Sequence, residues 1–241
     1  MITLATKKDK KELKKHALEL IKNGDIEGLR ILIYDLKDTN FKVHIKRKVF
    51  DFLYAAIEEE YVEIVKYLIE SNQIHANNAN HLFYYACSAN KLETAKYLFN
   101  LVKINTHSLN LALVNTCATY YLPKDAKEID REKRRAQIKF LVESGAQVPT
   151  HDNHSIRCIA RGNDVYILEY LIQHGADIHT NNNDCLIQAA FASQLETVEY
   201  LINLKKDYFI NNPSVISFCI NSAPALISNY LKEEFSLNAT N

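Results

Sequence analysis

Glycine is scarce in this chain, with five residues among 241, at positions 24, 28, 145, 162 and 175. Neither a phosphate-cradling loop nor a dinucleotide fingerprint can be built from them. The five cysteines, Cys87, Cys117, Cys158, Cys185 and Cys219, show no paired spacing. They read as reduced thiols of a cytosolic protein rather than a zinc or disulfide framework. No apolar run is long enough to span a membrane. The lysine-rich start, Met1 to Lys15, lacks the apolar core of a secretory signal. Nothing resembles a Ser-His-Asp or Cys-His arrangement. His151, His154 and Cys158 form an H-x-x-H-x-x-x-C string, but structural zinc normally takes four ligands and no fourth stands nearby. These absences predict a protein that is not an enzyme, with no cofactor, no catalytic residues and no metal site.

What the chain has in abundance is repetition. One short apolar phrase occurs seven times, at Ile31-Leu32-Ile33, Tyr67-Leu68-Ile69, Tyr97-Leu98-Phe99, Phe140-Leu141-Val142, Tyr170-Leu171-Ile172, Tyr200-Leu201-Ile202 and Tyr230-Leu231-Lys232. Its leucines are spaced 36, 30, 43, 30, 30 and 30 residues apart. A period of this size is that of a solenoid, whose units bury their apolar faces only against neighbours.

A second column keeps the register. Asn80, Asn110, Asn153 and Asn183 each follow a phrase leucine by 12 residues, and Pro213 takes the same place after Leu201. Asn is a favoured N-cap and Pro suits a first helical turn, so a first helix is expected to begin there. The second helix carries the phrase: Leu195, Val198, Leu201 and Ile202 fall on one face of a 3.6-residue period. Gly145 and Gly175, just after two such helices, supply the left-handed residue that ends a helix. The tyrosines of the phrase read as packing residues with hydroxyls at the surface.

The stretch Leu186-Ile187-Gln188-Ala189-Ala190, then Leu195-Glu196-Thr197-Val198-Glu199-Tyr200-Leu201-Ile202, resembles an ankyrin repeat. So does Glu169-Tyr170-Leu171-Ile172-Gln173-His174-Gly175-Ala176-Asp177-Ile178, and the likeness covers about residues 12–235. It departs from the family in its 30-residue period and in lacking the Thr-Pro-Leu-His opening of the first helix. The resemblance implies an all-α ankyrin-repeat solenoid of about seven helix-turn-helix units, with short links in place of long β-hairpin fingers. Residues 1–241 are expected to form a single domain, with units near 12–36, 50–72, 80–103, 110–147, 153–178, 183–205 and 213–235. Short, Asn-rich repeats of this kind are similar to the ankyrin arrays of giant DNA viruses of amoebae, with ankyrin effectors of intracellular bacteria as a second comparison.

The register breaks twice. Six extra residues fall near Lys37 to Lys48, and thirteen fall in the fourth unit, where residues 118–134 replace the four of Phe191 to Gln194. The charged, glycine-free second half of this insert is expected to prolong the second helix. Its first half carries Tyr120 and Tyr121, candidate interface anchors or parts of a decorative loop. Net charge is zero, yet residues 1–50 hold 13 Lys and Arg against 7 Asp and Glu. The basic segment 1–15 and the run from Lys42 to Lys48 suit a solvated outer face. An acidic partner stays open, but no nucleic-acid motif or regular aromatic spacing accompanies them, which speaks against nucleic acid.

The resemblance also places a binding surface. Ankyrin arrays usually bind partners through a concave face made of link tips and the ends of the first helices. By register these are Glu58, Glu59, Ser88, Ala89, Arg161, Gly162, Phe191, Ala192, Asn221 and Ser222, with Tyr85 beside them. The implied function is a non-enzymatic protein–protein interaction module, a viral or bacterial factor binding a host protein in the cytoplasm, with the nucleus also open. An adaptor recruiting a target to a host ubiquitin ligase is the alternative, although residues 213–241 show no clear F-box-like pattern. No small-molecule substrate and no membrane are expected.

Overall fold

Every copy of the phrase lies in the second member of a helix pair in the computed structural model, which describes residues 7–35, 39–72, 76–118 and 128–236. The pairs are α1 (Lys7–Lys22) with α2 (Ile26–Asp35), α3 (Thr39–Glu58) with α4 (Val62–Asn72), and α5 (Ala76–Ser88) with α6 (Leu92–Leu101). They continue with α7 (Thr106–Ala118) and α8 (Glu128–Glu143), α9 (His154–Gly162) and α10 (Val165–Gln173), and α11 (Thr180–Phe191) and α12 (Leu195–Leu204). A short α13 (Lys206–Asn211) precedes the last pair, α14 (Pro213–Ser222) and α15 (Ala225–Ser236). Among the described residues there is no strand, so the architecture is all-α.

The chain forms two compact bodies, residues 1–105 and 106–241. In the first, each helix packs on its pair mate and the first helices α1, α3 and α5 pack in succession. In the second, α7, α9, α11 and α14 form the same kind of row, with α10, α12 and α15 stacked behind them. The phrase leucines explain the stacking: Leu68, Leu98, Leu141, Leu171, Leu201 and Leu231 are all fully buried. Truncating any of them to alanine in so tight a setting typically costs about 2–5 kcal/mol.

Turns inside the units share a backbone state that side-chain identity hides. Gly24, Glu60, Asn90, Asn163 and Ser193 all have positive φ, and each lies eight residues before its phrase leucine. The amide of Glu60 donates to the Ile57 carbonyl and that of Tyr61 to Ala56; Ser193 and Gln194 repeat the pattern with Ala190 and Ala189. These paired bonds stop a helix with one left-handed residue. A side chain there strains the backbone, by about 1–2 kcal/mol before the unfolded-state entropy of glycine is set against it. Ser193→Gly is therefore expected to stabilise the fold by about 0.5 kcal/mol, read as a higher urea midpoint with unchanged slope.

At the far end of the unit the stop is glycine itself. Gly145 and Gly175 have φ of +102° and +93°, as the sequence predicts. Two second helices, α2 and α10, begin on aspartate caps: the Gly28 amide donates to Asp25 Oδ1 at 2.8 Å, and Ile167 to Asp164 Oδ1 at 3.1 Å. Asp164 is buried, and its other oxygen pairs with Arg135 Nε at 2.7 Å, tying α10 to α8. Burial lifts this carboxyl to about 6 against the pull of the Ile167 and Tyr166 amides, which leaves it ionised at neutral pH.

The asparagine column is where expectation and structure part. Helices α5 and α7 start four residues before Asn80 and Asn110, and Asn153 precedes α9 without any side-chain capping bond. The buried Asn110 instead accepts from the Gln147 amide at 2.7 Å, and the buried Asn153 accepts from the Asp177 amide at 2.9 Å. These intervals, 37 and 24 residues, differ by the thirteen of the insert, so the contact is one repeated feature. Asn153 Nδ2 also donates to Thr180 Oγ1 at 2.9 Å. The physical reason lies in the short links. Without a hairpin, a link amide has no strand partner, and a buried amide left unpaired is costly.

Three consecutive left-handed residues recur at these links: His151, Asp152 and Asn153, then thirty residues on Asn181, Asn182 and Asn183, which break the first turn of α11. Asn and Asp tolerate that conformation better than most residues. The second half of the insert does prolong a second helix, since α8 begins at Glu128, and the link before the last unit holds the unanticipated α13. The phrase tyrosines are half-buried as packing residues, but the Tyr97 hydroxyl is buried rather than at the surface.

Candidate partner-binding surface

Within each body, the ends of the first helices present side chains at two levels, each linking a residue to one 27 positions later. At the level nearer the helix ends, Tyr85 donates a hydrogen bond to Glu58 Oε1, and the Phe191 and Phe218 rings meet with centroids 5.8 Å apart at 46°. At the level one turn earlier, Tyr54 Oη lies 3.1 Å from His81 Nδ1, and Arg157 Nε donates to Asp184 Oδ2. The interval follows from the geometry: a 30-residue period carries one unit onto the next, and stepping back about one helical turn reaches the facing side chain.

Of the residues expected by register, Glu58, Glu59, Arg161, Phe191 and Asn221 are exposed, while Tyr85 and Ser88 are half-buried. Ser88 Oγ donates to the Tyr85 carbonyl at 2.8 Å. These contacts bring Glu58 together with Tyr85, but they place Phe191 against Phe218, which the sequence reading passed over. Phe218 lies 13 residues before its phrase leucine, as Tyr85 does, so aligning the last unit on Leu231 exposes it. Both phenylalanines are nearly half exposed, at 44% and 46%. An aromatic pair of this size in solvent stands out in a protein that fully buries Phe52, Phe83 and Phe209. Tyr120 and Tyr121 lie outside the described residues, as do the first six residues of the basic segment.

The remaining polar candidates behave as structural groups. His154 Nε2 lies 3.3 Å from Cys158 Sγ. Burial raises the Cys158 thiol and, with Arg157 and His151 nearby, lowers His154. That is the reverse of the shifts that make a thiolate nucleophile beside an imidazolium. Cys87, Cys117, Cys185 and Cys219 are buried and free, and burial pushes each thiol up, to about 12 for Cys185 and about 11 for Cys219. Among the described residues no three His, Cys, Asp or Glu side chains gather as a metal site would require.

Residues 17–108 match a family model described as ankyrin repeats (3 copies), and residues 156–212 match one described as ankyrin repeats (many copies). The chain belongs to the ankyrin-repeat family. The interval between the two matches holds most of the fourth unit with its insert. No curated protein sequence matches the chain. Ankyrin repeats form protein–protein interaction modules, and no helix among the described residues is long and apolar enough to cross a membrane.

Proposed function

We propose that this protein is a non-enzymatic adhesive surface for another protein, engaged through the ends of its first helices with Arg161, Phe191 and Phe218 at the centre. The observation that carries this reading is the exposed Phe191–Phe218 pair, two rings in contact across consecutive units with neither withdrawn into the core. Desolvating such rings against a partner releases apolar surface from water, and aromatic and arginine side chains dominate interface energetics. Arg161, one unit earlier on the same column as Phe191, extends the patch with a planar cation suited to carboxylate pairing. The partner we infer is a host protein met in the cytoplasm, with the chain acting as a viral or bacterial factor. The short Asn-rich repeats support that setting by their likeness to such arrays.

The test is an affinity capture from eukaryotic cytosol with mass spectrometry, comparing wild type with Arg161→Glu, Phe191→Asp. One protein retained by wild type is expected to fall at least about tenfold in the variant, whose helical content and melting temperature stay unchanged. A partner held equally by both would move the interface away from this patch.

A further inference from the structure

Tyrosine rings in this protein repeatedly sit under cations. The Arg30 guanidinium lies over the Tyr67 ring at 5.4 Å, and Lys139 Nζ and the Arg135 guanidinium lie 4.5 and 5.3 Å from the Tyr166 centroid. At the ends of α3 and α5 the same half-site recurs without its cation. The Tyr54 and Tyr85 rings are 4.6 Å apart, tilted by 59°, and both hydroxyls are tied, to His81 and to Glu58 respectively. These ties hold the rings in place ahead of any ligand. Burial and the Glu58 carboxylate push the Tyr85 hydroxyl up to about 12, so it remains a donor.

Carboxylates accompany the rings. Glu58 and Glu59 are exposed at the end of α3, and neither forms an ion pair among the described residues. Glu60 turns instead to the Glu93 amide at 3.2 Å, which leaves the other two facing solvent. No lysine or arginine of the described residues lies over Tyr54 or Tyr85. A pre-set aromatic pair with adjoining carboxylates is complementary to a guanidinium or ammonium group, which gains from the ring quadrupole and from the charge together.

We propose that Tyr54, Tyr85, Glu58 and Glu59 receive an arginine or lysine side chain of the partner protein, at a contact separate from the Phe191–Phe218 patch. This rests on the reading of the chain as a protein-binding module. The partner is thereby one that presents a basic segment to the first body, residues 1–105.

The test titrates the full chain into a fluorescein-labelled nona-arginine peptide at about 0.15 M salt, where loose long-range attraction is screened. Binding is expected to weaken about tenfold in Glu58→Gln, Glu59→Gln and about fivefold in Tyr54→Leu, while Phe191→Ala, Phe218→Ala leaves it unchanged. Tyr85→Phe keeps the ring but frees Glu58, and is expected to weaken binding about twofold, with melting curves confirming that each variant is folded. Equal binding by folded Tyr54→Leu, or an equal loss in Glu196→Gln, Glu199→Gln, would reduce the effect to diffuse charge and overturn the site. Concentration-dependent self-association abolished by Glu58→Gln, Glu59→Gln would put a second copy in the site and overturn the partner assignment. The peptide titration needs no captured protein, so its failure leaves the test of the phenylalanine patch standing.

Discussion

Asn153→Ala should lower the stability of the folded chain by about 3 kcal/mol, a large loss for one small polar side chain. Three costs combine. The Asp177 amide loses its acceptor at 2.9 Å in a part-buried setting, and the bond to Thr180 Oγ1 disappears with it. Alanine must also take the φ of +54° that asparagine tolerates, which costs about 1 kcal/mol more. Asn153→Asp keeps the acceptor and the backbone preference but loses the donor, so about 1 kcal/mol is expected. Asn80 provides the contrast. It occupies the same register but sits inside α5 with its Oδ1 buried and unpartnered, so Asn80→Ala should be neutral or stabilising by about 0.5 kcal/mol. Urea unfolding of the three variants with a common slope decides it. Equal losses at Asn80 and Asn153 would show that the column acts by shape rather than by its hydrogen bonds.

Asp164→Ala is expected to cost about 3 kcal/mol, from two separable roles. As a cap it serves the Ile167 amide, a contribution of about 1 kcal/mol. As an anion with no side-chain exposure it neutralises Arg135, whose own side chain is only 20% exposed. Removing it leaves a part-buried guanidinium that still pairs with Glu132, which limits the loss below that of a fully buried pair. Asp25→Ala isolates the capping role, since Asp25 is exposed and serves only the Gly28 amide, and should cost about 1 kcal/mol or less. Asp164→Asn keeps an acceptor for the cap and discards the charge. If Asp164→Ala and Asp25→Ala cost the same, the link between α8 and α10 contributes nothing.

The parts of this fold that could be read from the sequence are those that burial enforces on every unit. A leucine that must be dry in each repeat recurs with the period, which is why the phrase leucines other than Leu32 are among the fully buried residues. Glycine at 145 and 175 was legible because a helix stop with φ near +100° admits little else. The inner turn was not, because its milder left-handed residue is Gly, Glu, Asn, Asn and Ser in the five units where it occurs. The asparagine column was visible but its role was not: an acceptor before a helix is equally good as a cap or as a bridge. Only the position of an amide 24 residues away decides between them.

The candidate surface was partly legible for a similar reason. Register finds Glu58, Arg161 and Phe191 on one column with Tyr85 beside it, but Phe218 appears only when the 27-residue interval between facing side chains is known. That interval is a property of packed helices rather than of any one repeat. Tyr120 and Tyr121 lie outside the described residues.

The proposal that the first-helix ends are the binding surface is tested most directly by hydrogen exchange of the chain with and without its captured partner. The reading predicts slowed exchange at residues 157–162, 187–193 and 217–222, the segments bearing Arg161, Phe191 and Phe218, with α10 and α12 unchanged. Protection confined to α10, α12 and α15, with the first-helix ends unaffected, would contradict it.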